Sequence, residues 1–444
     1  MNKKNRYAIL SILITYFISI IGSFILKKDL VYITSLIFII IIISIGLLKN
    51  NVILFFSAMI FIMISNGISK YIGIFQYAPM YFYILMLIKL IFIRNKVIKD
   101  KILIVIISIS IIISIIPLLV GQNFNLVNIL YSIFKKYGFL ILIVFLTNIK
   151  KFNILNSIDK IMSFFILLNF PIFIIQFFYG IDRDFITGFL GNNFTGIIFQ
   201  MIIIVLCIKL AKYYNGKSSI KTILFWSSLA LLYSALAEVK FGFFVLVIII
   251  SYYFIFLKKG LKSILILIVL SITIITSYKI YMQNYSYQNF LDVNYLEYYL
   301  VEQNYSGESL NRFGFKKRID YEVFNNNKYK EYLGAGIGVG NPSDFKFLKG
   351  NININYDYLK YYWFTLPYLY LETGIIGTVL FILIYIYSII KFAKDIKKDE
   401  LSLSLFLIGI VNILFIIYNN SILSYEIPFI YWAIYSEYIN RKKE

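Results

Sequence analysis

The chain has 444 residues, 60% of them hydrophobic, a mean hydropathy of +0.80 and a formal net charge of +21. A soluble domain is about 45–50% apolar, so this composition excludes an ordinary water-soluble fold. The chain has no histidine, the commonest general base and zinc ligand, and its one cysteine, Cys207, excludes an intramolecular disulfide.

The apolar residues fall in long blocks such as Ile102–Val120, Ile197–Ile208 and Ile264–Ile275. A helix needs about 20 apolar residues to cross the hydrocarbon core, where only helices and closed barrels satisfy the backbone. Unbroken Ile/Leu/Phe blocks lack the two-residue alternation of a barrel. The expected fold is therefore all-α, a polytopic transmembrane helix bundle of about fourteen spans, within a range of about 12–14. Their approximate positions are 7–26, 30–48, 51–68, 78–94, 101–120, 126–148, 158–179, 194–213, 220–238, 240–257, 262–282, 362–390, 400–418 and 424–439. The basic start Met1–Arg6 with Tyr7–Leu26 looks like a signal peptide, but the apolar stretch is too long and no small-residue cleavage site follows, so an uncleaved first span is expected. Lys135 and Lys136 interrupt the sixth span, and the tight Glu238–Lys240 turn separates the ninth from the tenth.

Placing Lys3, Lys4 and Arg6 in the cytoplasm puts Arg94–Lys101, Lys150–Lys160, Lys209–Lys221, Lys258–Lys262, Lys391–Lys398 and Arg441–Lys443 on the same side. All are rich in Lys and Arg, as the positive-inside rule requires of a chain with both termini in the cytoplasm. The positive charge is thus an orientation signal and not a nucleic-acid footprint. The chain divides into eleven spans over 1–282, a large extracytoplasmic loop over 283–361 and three spans over 362–444. The loop's Tyr spacing and mixed charge predict short helices, and a loop of this length is usually functional or disordered.

Lysine is the default cation here, and the arginines are Arg6, Arg94, Arg183, Arg312, Arg318 and Arg441. Arg183, Arg312 and Arg318 fall outside, where the positive-inside rule disfavours them, and a guanidinium fork suits phosphate. Each is a phosphate candidate or a solvated loop cation. Lys135 and Lys136 either snorkel or face a polar cavity. Glu238 and Lys240 form a functional or a structural ion pair at an external turn. Gly334-Ala-Gly-Ile-Gly-Val-Gly340 lacks the strand–turn–helix setting of a dinucleotide loop. It is an anion cradle or a plain turn. Asp182-Arg-Asp184 is an acidic pair separated by one residue, which can hold a divalent metal but is a motif common by chance, and no metal site is assigned. Glu372, early in the twelfth span, is either used in chemistry or buried against one of these cations.

In order, Arg312, the Gly334/Gly336/Gly338 run and Glu372-Thr-Gly-Ile-Ile-Gly377 resemble the O-antigen polymerase and O-antigen ligase superfamily of bacterial surface-polysaccharide assembly. Lys240 looks like that family's basic residue at the turn before the large-loop pair of spans, and Lys135 or Lys136 like its mid-membrane basic residue. The resemblance covers roughly residues 126–440. Ligase members usually carry a histidine near the position of Trp363, so the lack of histidine favours the polymerase.

The resemblance implies a metal-independent, cofactor-free glycosyltransferase of the bacterial inner membrane. It would polymerise undecaprenyl-pyrophosphate-linked repeat units into O-antigen or capsular polysaccharide. A flippase and a chain-length regulator are the protein partners it implies. Lys135, Lys136, Lys240, Arg312 and Arg318 would bind pyrophosphate. Glu372, Glu238 and Asp320 are the candidate bases, left unranked. Gly334, Gly336, Gly338 and Trp363 would line the substrate approach. The alternatives are an O-antigen ligase acting on an acceptor lipid and, in another class, a lipid-linked oligosaccharide flippase.

Overall fold

The computed structural model describes residues 50–69, 73–93, 100–121, 125–149, 153–190, 195–253, 309–343 and 345–441, with isolated positions elsewhere. The described residues are helical with no strand. Helix α1 spans Asn51–Ser69, α2 Ala78–Ile91, α3 Lys101–Gly121, α4 Leu126–Tyr137, α5 Phe139–Thr147, α6 Ile154–Phe178, α7 Thr195–Tyr214, α8 Ile220–Leu236 and α9 Phe241–Tyr252. Short helices follow: α10 (Phe315–Arg318), running into a π turn at Ile319–Val323, α11 (Lys328–Leu333) and α12 (Asn351–Tyr356). Three more close the chain: α13 (Thr365–Ala393), α14 (Glu400–Tyr418) and α15 (Glu426–Arg441).

Local chemistry sets several boundaries. Asn125, Asn153, Ser219 and Asp399 cap α4, α6, α8 and α14 by accepting from otherwise unpaired first-turn amides. Pro79 occupies the first turn of α2, where a missing N–H does no harm. Gly138 separates α4 from α5, which meet at a 57° bend. A Cβ there would press on the ring of Tyr83.

Among the described residues six helices, α1, α3, α6, α7, α13 and α14, are long and apolar enough to cross a membrane, and α4 with α5 makes a seventh if the bent pair is one span. The chain is therefore a helical protein with several helices able to cross a bilayer. Shorter apolar helices lie over 75–91, 220–236 and 241–252. At 1.5 Å per residue the longest of these reaches only about 25 Å, short of a core of roughly 30 Å. Expected spans 7–26, and most of 30–48 and 262–282, fall outside the described residues, as does most of the loop before residue 309.

The helices are polarised inside out relative to a soluble bundle. On α3, Ile102, Val105, Ile109, Ile112, Ile116 and Leu119 are exposed at helical spacing, while Ser110 and Ser114 are buried. Such a stripe suits an apolar solvent and not water. Buried Ser110 is hydrogen-bonded to the Tyr137 hydroxyl at 2.7 Å, so α3 docks on α4 through a polar pair. Helix α14 packs between α13 and α7, and α15 packs on α5. Trp432 of α15 stacks on Phe139 with centroids 4.8 Å apart.

The helix ends sort into two groups. At one end Lys391 reaches Asp100 at 2.5 Å, Lys209 and Lys212 both reach Asp159 at 2.7 Å, Lys217 reaches Glu400 at 3.0 Å, and Glu437 accepts from the Leu155 amide at 2.7 Å. Burial raises the Asp100 carboxyl, but hydrogen bonds from Lys391 and Tyr435 more than offset it and hold it below its usual range. At the opposite end Thr365 donates to the Asn419 carbonyl, and Arg183 pairs with Glu238. The short helices over 309–361 pack at this second end.

Candidate functional site

The centre of the second end is a buried ion pair. Lys136, in the last turn of α4, pairs with Glu372 of α13, and both side chains are 0% exposed. The two residues are 236 positions apart in sequence. Lys136 therefore does not snorkel. Its ammonium lies 4.5 Å from the centre of the Tyr368 ring, one turn before Glu372. Lys135 stands 5.6 Å from the same ring and makes no ion pair among the described residues. Lys136 and Glu372 are buried and Lys135 partly so; two lysines and one glutamate leave the group with one net positive charge, which is costly in a low-dielectric setting unless an anion answers it.

The glycine run forms the roof of the pair. Helix α13 breaks at Gly374, whose φ of +62° lies in the left-handed region. Carbonyls on the N-terminal side of the break are taken up by the run: Ala335 N–H donates to Leu371 and Gly336 N–H to Glu372, each at 2.9 Å. The Gly340 amide donates to Glu372 Oε1 at 3.0 Å. A Cβ at Gly334 would land on the Glu372 backbone, so only glycine permits this approach. The anion that the run meets, through the Gly340 amide, is the protein's own carboxylate. Farther along, Tyr361 donates to the Gly340 carbonyl at 2.7 Å, and Tyr368 to Asn341 Oδ1 at 2.7 Å.

Arg312 lies on the same stripe. Its guanidinium is sandwiched between Phe364, 4.7 Å away, and Tyr418, 4.6 Å away, and its Nε donates to the Tyr418 carbonyl at 2.9 Å. Phe364, Tyr368 and Glu372 follow at four-residue steps, so the cations of Arg312, Lys135 and Lys136 are strung along about 12 Å of α13.

Beside Arg312 is a mixed-charge cluster. Glu238 receives Arg183 at 3.3 Å and Lys240 at 3.4 Å. Glu238 has φ +52°, an uncommon conformation for a non-glycine residue, and Phe241 stacks on Tyr418 at 4.4 Å. The Asp184 carboxyl is pushed above its ordinary value, first by the protein crowded around it and then by Asp182 and Glu238. Lys240 and Arg312 pull it the other way. The structure thus brings Lys240, Arg312, Glu238 and Asp184 to one place.

The remaining candidates are set apart. Asp320 is held by the Tyr370 hydroxyl and by Lys316 at 2.5 Å. Arg318 pairs with Glu322 at 2.9 Å on its own turn. Gly336 packs on Leu118 of α3, and Gly338 on the backbone of Asn128. Trp363 is 39% exposed in the turn that leads into α13. A residue the sequence reading missed is Glu426, buried at the start of α15 and hydrogen-bonded by Asn66 of α1. Its one sequence signal, a carboxylate inside an expected span, was the same signal that drew attention to Glu372. Comparison of the chain with protein-family models, with curated proteins and with solved structures finds no match.

Proposed function

We propose that the protein is a bacterial inner-membrane glycosyltransferase that joins undecaprenyl-pyrophosphate-linked oligosaccharide repeat units on the extracytoplasmic face. In this reading the chain has about fourteen spans, both termini are cytoplasmic, and the short helices of 309–361 lie outside. The opposite helix ends, with their Lys-rich connections, then face the cytoplasm.

The observation that carries the reading is the net positive charge of Lys135, Lys136 and Glu372, aligned on α13 with Arg312. A sugar transferred from a lipid pyrophosphate needs no activating nucleotide. The acceptor hydroxyl gives its proton to a carboxylate base and its oxygen forms a bond to the anomeric carbon, the bond from that carbon to the phosphate oxygen breaks, and the electron pair departs with the pyrophosphate. Negative charge builds on the leaving group, and fixed cations in a dry site stabilise it without reorganising. Lys135 is the cation best disposed for this, because Glu372 already neutralises Lys136. Arg312, held rigid between two rings, supplies a second positive group that keeps its charge at any relevant pH. Trp363, exposed in the turn that leads into α13, offers a ring face on which a sugar would stack in this reading.

Lipid analysis of a deletion strain tests the reading. Accumulation of single lipid-linked repeat units, with loss of the polymer ladder, is the expected result. A ladder that persists on the carrier lipid but never reaches its final acceptor would replace the polymerase with a ligase. Single units trapped on the cytoplasmic face would replace it with a flippase.

A further inference from the structure

Three consecutive carbonyls of the glycine run and its end are answered by the segment 350–361. Ile352 N–H donates to Val339 at 2.9 Å and Gly350 N–H to Asn341 at 3.0 Å, both from the backbone. Between them the Gly340 carbonyl takes the Tyr361 hydroxyl at 2.7 Å, the one side chain of the three donors. Gly340 is also the residue whose amide reaches Glu372 Oε1. One glycine thus carries the tyrosine on its carbonyl and the carboxylate on its amide.

Tyr361 is set for this contact. It is fully buried and follows Lys360, whose φ of +44° is uncommon for a residue with a side chain. An ion pair with Asp357 holds Lys360 in that turn. Asn353 of α12, also buried, donates from its amide nitrogen to the Tyr361 oxygen at 3.0 Å and to Asp357 at 3.3 Å. That nitrogen can only donate, so the tyrosine proton is directed to Gly340. Bonded residues therefore run in one chain from Asp357 through Asn353, Tyr361, Gly340 and Glu372 to Lys136.

What this chain governs is the partner of Glu372. Its Oε1 is on the Gly340 amide and its Oε2 on Lys136. Lys135 and Lys136 stand 5.6 and 4.5 Å from the centre of one ring, Tyr368, one turn before Glu372. A carboxylate released from the Gly340 amide has a second ammonium to turn toward, and its charge is then divided between the two. A carboxylate held on Lys136 leaves Lys135 the stronger cation, because the attraction falls with distance.

We propose that Tyr361 is a positioning residue for the transfer: by fixing Gly340 it keeps Glu372 on Lys136, and so keeps Lys135 free to receive the charge of the departing pyrophosphate. This rests on the polymerase reading and adds the part of the loop that sets its cation.

The test uses membranes carrying the full chain, supplied with lipid-linked oligosaccharide extracted from the deletion strain, with extension per folded chain read on a gel. Tyr361→Phe removes the hydroxyl and leaves the ring. Turnover is expected to fall by about tenfold, the worth of one hydrogen bond. Lys136→Met/Glu372→Gln has no carboxylate to steer. That chain is expected to extend units through Lys135, and adding Tyr361→Phe to it is expected to change the rate by less than about twofold. Equal losses in the two backgrounds mean that the hydroxyl serves only the fold, and overturn the assignment. A wild-type rate in Tyr361→Phe, or no extension by folded Lys136→Met/Glu372→Gln, overturns it as well. Where Tyr361→Phe yields no folded chain, Asn353→Ala, which frees the hydroxyl from behind, replaces it in both backgrounds, with an expected loss of about threefold and the same outcomes deciding. In each of these cases the polymerase reading stands. Failure of the wild-type chain itself to extend these units overturns both.

Discussion

The pairing of Lys136 with Glu372 makes a quantitative prediction. In Glu372→Gln the carboxamide still accepts from the Gly340 amide, so the change isolates the charge. Lys136 is then a buried ammonium with no counter-ion, and its cheapest escape is to lose a proton. Starting from an ordinary lysine at about 10.4, that costs about 1.36 kcal/mol for each of roughly 3.4 pH units, or about 4.6 kcal/mol at pH 7. Lys136→Met strands Glu372 instead, and protonating an ordinary glutamate from about 4.3 costs about 3.7 kcal/mol at pH 7. Both ceilings agree with the roughly 3–5 kcal/mol typical of breaking a buried pair. The double variant Lys136→Met/Glu372→Gln carries neither charge and should recover most of the combined loss of about 8 kcal/mol. Reversible unfolding of each variant in mixed micelles, at matched membrane insertion, completes the cycle. Single losses that simply add, within about 0.5 kcal/mol, would refute the pairing.

Lys135→Met should leave unfolding stability unchanged or improved, since no carboxylate loses a partner, yet abolish chain extension; a normal length ladder in that variant would remove Lys135 from the site. Gly374→Ala should lower the level of folded protein, because φ +62° alone costs an L-residue about 1–2 kcal/mol and the new Cβ meets the Tyr332 carbonyl. Gly216→Ala, at φ +72° with open space around it, should cost only the backbone part, which thermal scans of the pair can separate. At Asp357, burial raises the carboxyl, but Lys360 and Tyr362 hydrogen bonds with the Lys360 and Lys349 charges bring it below its usual range. Its stabilisation is therefore present above the unfolded value of about 3.9 and lost as pH falls through the folded one. Pepsin cleavage near 357 should rise through that acid window, and Asp357→Asn should abolish the rise.

Much of the helical layout was legible because a bilayer imposes a length and an apolar surface that composition alone reveals. Helices α1, α3, α7, α13 and α14 start and stop within a few residues of the expected spans. The bend at Gly138 was not legible, since 126–148 reads as one apolar run broken only by its lysines. Nor was the ring sandwich of Arg312, whose partners lie 52 and 106 positions away. The residues around Glu372 were legible as a list and not as a site. Sequence offered Lys135, Lys136 and Lys240 equally as cations, and only packing shows that Glu372 takes Lys136. Glu426 escaped because its partner, Asn66, is 360 positions distant, and because a carboxylate opening a helix has an ordinary explanation in the helix dipole.

The break at Gly374 bears on how the chain is made. In a bilayer each unanswered carbonyl costs several kcal/mol, and the carbonyls of Leu371 and Glu372 are answered by residues 335 and 336. Those residues are synthesised before α13, so they are already at hand to answer these carbonyls when that helix inserts. Insertion of α13 and closure of the loop over it are then a single step of assembly, and a chain stalled before one of them would hold the other open.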